Sequence, residues 1–144
     1  MGLLILSTRK VTPEESIASI ASLSLKNGFK FHMEEVKDNS KNYVDLYIAK
    51  HYKKDEEEYF YLELRYDQMK IIKNNKLYNR LGVTDQTDYP RLMYDFSLEY
   101  LRLNPDHCIS FHRETFFFLK DMEDIESGGG YFDDWCFENP NDQL

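Results

Sequence analysis

Residues 44–66 read VDLYIAKHYKKDEEEYFYLELRY, and their alternation decides the fold. Val44, Leu46 and Ile48 share one side in the first half, and Phe60, Leu62, Leu64 and Tyr66 share one side in the second. A period of two is what a strand with one buried face requires, because successive side chains point to opposite sides. The charged run KKDEEE between the halves reads as the tip of a hairpin. Upstream, FKFHMEEV (residues 29–36) alternates with Phe29, Phe31 and Met33, and the turn formers DNSKN follow it. Downstream, MKIIK (residues 69–73) gives one more short strand after the Asp67-Gln68 turn. The expected unit is an antiparallel meander with one face covered.

Helices are expected before and after this meander along the chain. TPEESIASIASLSLKNG (residues 12–28) carries Thr12 as N-cap, Pro13 at the first helical position, Glu15 three residues after the cap and Gly28 as terminator. Its apolar Ile17, Ile20 and Ala21 lie on one side. TDYPRLMYDFSLEYLRLNP (residues 87–105) is a second helix, with Thr87 or Asp88 near the cap, Leu92, Met93, Phe96, Tyr100 and Leu103 at helical spacing, and Asn104-Pro105 as its stop. LLIL (residues 3–6) and CISFH (residues 108–112) read as strands, and FFFLKDMEDIESG (residues 116–128) starts extended and becomes a short helix. The expected fold is α+β: an antiparallel or mixed sheet of five to six strands, two main helices on one face, and a short C-terminal helix. Were LLIL and FKFHMEEV neighbours, the helix between them would make a parallel crossover.

With 144 residues, 42% of them hydrophobic and 15% aromatic, the chain is expected to form a single domain around a packed core. Only four apolar residues in a row precede Ser7, too few for a signal-peptide core, which points to a cytoplasmic protein. Cys108 and Cys136 fit a reducing compartment as buried thiols. The net charge of −8 argues against a general affinity for nucleic acid or anionic lipid. Residues 121–144 hold eight acids (Asp121, Glu123, Asp124, Glu126, Asp133, Asp134, Glu138 and Asp142) and no Lys or Arg, so the whole excess sits at this end.

No catalytic or cofactor motif emerges. Glycines 128–130 lack the spacing and the lysine of a phosphate loop and lie among carboxylates, so they read as a helix stop. His107, Cys108 and His112, with Cys136 returning, are a weak zinc set without a CxxC or HExxH pair, and on a strand His107 and Cys108 face opposite ways. There is no GxSxG, and adjacent acids such as Glu34-Glu35 or Asp133-Asp134 are unremarkable in a chain with 26 acids. No cofactor or metal is expected. Between Gln68 and Thr84 the chain carries Lys70, Lys73, Lys76 and Arg80 with Tyr78 and no acid. That segment suits a phosphate contact, an internal partner for the acidic end, or a solvated edge.

The C-terminal stretch YFDDWCFE (residues 131–138) supplies the candidate site. In an extended chain neither face would be purely apolar, which is unlike a core strand. Aromatics anchor interfaces and surrounding carboxylates steer a cationic partner. Trp135 is the expected anchor, with Tyr131, Phe132, Asp133, Asp134, Glu138, Glu126 and Asp124 around it; the alternative is that Trp135 and Phe137 staple the end of the chain to the sheet. The expected function is a non-catalytic domain that neutralises a basic protein, in the role of bacterial immunity proteins that block a toxin stoichiometrically, a nuclease being a natural target. Two rivals are a small enzyme or ligand-binding domain, with a pocket between sheet and helices lined by His107, His112 or tyrosines, and an acidic DNA mimic.

Overall fold

The computed structural model describes residues 2–34, 42–84, 88–111, 115–139 and 141. Its elements, in chain order, are β1 (Leu3–Ser7), α1 (Pro13–Asn27), β2 (Lys30–Glu34), β3 (Tyr43–Lys53), β4 (Glu56–Arg65), β5 (Lys70–Lys73), β6 (Lys76–Thr84), α2 (Pro90–Leu103), β7 (His107–Phe111), β8 (Thr115–Phe117), α3 (Leu119–Ser127) and a 3₁₀ turn over Trp135–Phe137. The architecture is α+β, as expected, but the sheet has eight strands rather than five or six.

Every pairing in the sheet is antiparallel, in the order β2-β3-β4-β6-β1-β7-β8, with β5 on β6. The parallel crossover does not form: β1 pairs β6 and β7, so α1 carries the chain to the far edge, where β2 starts. The 44–66 hairpin is the longest ladder, and it runs into the charged segment. Lys50 opposes Glu58 and Lys53 opposes Glu56, so opposite charges extend the pairing that the apolar face begins. Tyr66 has left the strand, is 42% exposed, and donates its hydroxyl to Glu14 at 2.5 Å.

The strand missed in the basic segment, β6, lies near the middle of the sheet. β5 and β4 take consecutive stretches of one of its edges, joined by a bend in which Arg80 N donates to Met69 O at 2.8 Å. Asn74 and Asn75, at φ 52° and 64°, make the two-residue turn from β5 to β6, a conformation that asparagine tolerates. A bulge opposite Ile5 and Leu6 then breaks the alternation of β6. Gly82 follows it, where an added Cβ would stand 3.2 Å from the methyls of Leu62 and Leu64.

All three helices pack on one face. α1 opens with the expected capping box, Glu15 N on Thr12 Oγ1 at 3.3 Å and Thr12 N on Glu15 Oε2 at 3.2 Å, and ends at Gly28 with φ 72°. α2 is capped otherwise than expected: Tyr89 is its N-cap and makes no side-chain cap bond. Glu58 of β4 lies near its first turn, where the Leu92 N–H partly offsets the rise of the Glu58 carboxyl. The main core joins Ile20 and Leu23 of α1, Leu92, Phe96 and Leu101 of α2 and Met122 of α3 to Leu3, Ile5, Leu46, Ile48, Leu62 and Ile109 of the sheet. Among the described residues the opposite sheet face is left without helices, and its buried cluster is a small one of Leu4, Leu6, Tyr78, Cys108 and Phe116. Among the described residues, no helix is long and apolar enough to cross a membrane.

Candidate partner-binding site

The C-terminal stretch is not extended. After α3, Gly129 and Gly130 adopt φ 129° and 82°, and Gly130 N donates to Ile125 O at 3.0 Å. The glycines thus stop the helix and reverse the chain. The 3₁₀ turn that follows points Trp135 and Cys136 inward and leaves Phe137 56% exposed. Trp135 is 0% exposed; its ring meets Phe111 edge-on at 4.8 Å and lies 5.3 Å from both Tyr94 and Phe117, and Nε1 donates to Pro90 O at 2.9 Å. This corrects the expectation that Trp135 anchors a partner. A sheathed indole gains nothing further from being covered, and its role is to close the core over the start of α2.

The other expected residues remain at the surface or at its margin. Tyr131 is half-buried, donates to Asp133 Oδ1 at 2.6 Å, packs on Tyr94 and lies under the Arg91 guanidinium at 4.9 Å. Glu126 accepts the Tyr94 hydroxyl and stands beside Gly130, which brings it to the same patch. Asp124 is tied down by Lys120 at 2.8 Å and Asn141 at 2.9 Å, which hold its carboxyl below the usual range. Asp133, Asp134, Glu138 and Phe132 are exposed. His107 faces the helices, buried, with the Tyr100 hydroxyl 2.9 Å from its Nδ1, while Cys108 faces the other way. His112 lies outside the described residues, and among those described no three His, Cys, Asp or Glu side chains gather as metal ligands.

What the sequence reading overlooked is the open face of the hairpin. With Leu46, Ile48, Leu62 and Leu64 committed to the core, the off-phase positions Tyr43, Asp45, Tyr47, Tyr59, Tyr61 and Glu63 all face away from the helices. Tyr47 stacks on Tyr59 at 5.7 Å and on His32 at 4.8 Å, and meets Tyr61 edge-on at 5.4 Å. Tyr47 also donates to Glu57 Oε2 at 2.6 Å; burial first and then the Glu57 charge raise its phenol, while the Tyr47 and Lys30 hydrogen bonds hold Glu57 below its ordinary range. Glu34, Asp45 and Glu63 stand abreast on three neighbouring strands.

Tyr43, Asp45, Tyr61 and Glu63, with Val83, enclose a cavity of about 400 Å³. Arg65 shows what this chemistry accepts: its guanidinium is 5.3 Å from the Tyr43 ring and 3.3 Å from Glu63. The surface continues around the sheet edge. Tyr59 contacts Tyr89 at 5.7 Å, and the charge of Glu58 acts on the phenols of Tyr52, Tyr89 and Tyr131 alike. Burial, then repulsion from Glu56, raises the Glu58 carboxyl. The hairpin face and the C-terminal patch are both acidic and tyrosine-bearing, the first around Asp45 and Glu63 and the second around Tyr131, Asp133 and Glu126. No protein-family model, curated protein or solved structure matches the chain.

Proposed function

We propose that the chain is a non-catalytic binding protein that captures a basic protein and neutralises it by covering its surface, as immunity proteins do with bacterial toxins. The observation that carries this reading is the cavity between Asp45 and Glu63, walled by Tyr43 and Tyr61, on a sheet face that no helix covers. A lysine or arginine side chain of the partner enters it, meeting two carboxylates and two aromatic faces at once. The phenol rings around it are rigid contact area that loses little entropy on binding. Tyr131, Asp133, Asp134, Glu126 and Glu138 extend the negative field toward the C-terminus and steer the encounter. A nuclease toxin, basic where it holds phosphates, has the complementary surface.

The test is affinity capture from host lysate at low and high salt, with the wild type, Asp45→Lys combined with Glu63→Lys, and Asp133→Lys combined with Asp134→Lys. The expected result is one basic protein in equimolar amount, partly released by salt, lost with the hairpin variant and weakened with the C-terminal one. Retention of nothing at either salt, or retention that neither variant alters, would overturn the reading.

A further inference from the structure

A second cavity, of about 320 Å³, opens on the same sheet face but in a different chemical setting. Its floor follows one cross-strand row, Leu4 of β1 beside Ser110 of β7 beside Phe116 of β8, and its wall is Met69 and Ile71 at the start of β5. Arg80 of β6 lies at its side, placed there by the bulge that sets Arg80 opposite Leu6.

Two of its lining residues carry a buried polar atom without a hydrogen-bond partner, Ser110 Oγ and Arg80 Nε. Ser110 as a whole is 0% exposed. Buried groups of this kind are normally satisfied, so a pair of them on one cavity marks a place that a ligand completes. The internal candidates are otherwise engaged: Asp67 is held by Arg65 through both its oxygens, at 2.9 and 3.0 Å, and Asn79 accepts from Lys70. Lys73 stands 3.8 Å over the Phe116 ring. Between Gln68 and Thr84 the chain carries four cations and no acid, and two of them, Lys70 and Arg80, line the cavity.

We propose that this cavity binds a small monocarboxylate with an apolar body. The carboxylate lies on the Arg80 guanidinium, taking the Nε–H and a neighbouring Nη–H as a fork, and accepts the Ser110 hydroxyl proton. The hydrocarbon part fills the space among Leu4, Ile71 and Phe116. The volume is at the lower end of the range for ligand pockets, roughly 300–1,000 Å³, which excludes a nucleotide and suits an arylalkyl or branched short-chain acid. A bare phosphate would leave the apolar walls uncovered.

The experiment is a titration of the isotope-labelled full chain with phenylacetate, its neutral isostere phenylacetamide, and inorganic phosphate, read from backbone amide shifts. Phenylacetate is expected to move the amides of Ile71, Arg80, Ser110 and Phe116 saturably, with phenylacetamide and phosphate at least about tenfold weaker. Arg80→Gln lowers phenylacetate affinity about tenfold or more. Ser110→Ala weakens binding severalfold yet raises the melting temperature of the free protein, because it deletes a buried hydroxyl that has no partner; a hydroxyl serving only the fold would not behave so. Equal responses to acid and amide, a stronger response to phosphate, shifts mapping elsewhere, or no saturation up to about 10 mM by phenylacetate or hexanoate would overturn the proposal.

Discussion

Replacing Trp135 by Ala tests where the C-terminal segment packs. The indole is 0% exposed, touches Phe111, Tyr94 and Phe117, and gives its N–H to Pro90 O. A buried indole removes roughly 200 Å² from water, which at about 25 cal/mol per Å² is about 5 kcal/mol. Partial collapse of the site moderates this, and core Trp→Ala changes cost about 3–5 kcal/mol. For a chain of this length each kcal/mol moves Tm by about 2–4 °C, so Tm should fall by roughly 6–20 °C. Phe132→Ala and Phe137→Ala, at positions 48% and 56% exposed, should each cost about 0.5 kcal/mol or less. Thermal melts followed by circular dichroism measure all three. Because Trp135 is the sole tryptophan, the wild type also reports on itself: its fluorescence should be blue-shifted and shielded from iodide. A Trp135→Ala melt within about 2 °C of wild type, or emission typical of indole in water, would refute the buried placement. Loss of partner binding by Trp135→Ala would then need a folding control before it meant anything about the interface.

Further outcomes follow from other parts of the fold. Gly82→Ala forces a methyl into the 3.2 Å contacts with Leu62 and Leu64 and should cost about 1–3 kcal/mol in urea unfolding, whereas Gly28→Ala meets no atom within 4 Å and is penalised only by its φ of 72°. Burial holds the His107 imidazole below its ordinary range, outweighing the opposing pull of Asp106. The unfolded chain therefore takes up a proton near pH 6.5 that the folded chain does not, and stability present above that pH is lost as pH falls through it. Urea unfolding should weaken between about pH 7 and 5 in the wild type and change less in His107→Gln; equal slopes would exclude His107 as the cause. For the captured partner, Asp45→Asn with Glu63→Gln should flatten the salt dependence of the association rate, and unchanged dependence would move the contact off the hairpin.

The parts of the fold legible in the sequence are those where one physical requirement acts alone. The 44–66 hairpin must bury one face, so its alternation is strict; α1 must satisfy free N–H groups, so Thr12 and Glu15 declare its start. β6 was hidden because two requirements compete along it. Its bulge breaks the period of two, and Lys76 and Arg80, following Lys70 and Lys73 of β5, give a central strand the look of a solvated edge. β8 is three residues long, Thr115–Phe117, with Phe116 and Phe117 serving opposite faces, so no alternation shows. At the C-terminus the charges were plain, but the burial of Trp135 depends on a 3₁₀ turn, and no period of two or 3.6 forecasts which aromatic such a turn points inward.

The open face of the hairpin has its own signal, carried by the residues the core does not use. A sheet face without a covering layer stays soluble and unaggregated with threonines, lysines and mixed charges. Here it holds Tyr43, Tyr47, Tyr59 and Tyr61, and sets Glu34, Asp45 and Glu63 side by side across three strands. Like charges directly opposite one another weaken a sheet, and Arg65, shared between Glu63 and Asp67, offsets the charge at Glu63. Within the isolated chain Tyr47 packs on Tyr59, Tyr61 and His32, but among the described residues no helix lies over them. Local rules broken without an internal gain concentrate where a protein meets something else. A basic partner with a cation at Asp45 and Glu63 and its surrounding surface over the tyrosine rings would supply the layer that the sheet face lacks, which is the physical reason for proposing the contact there.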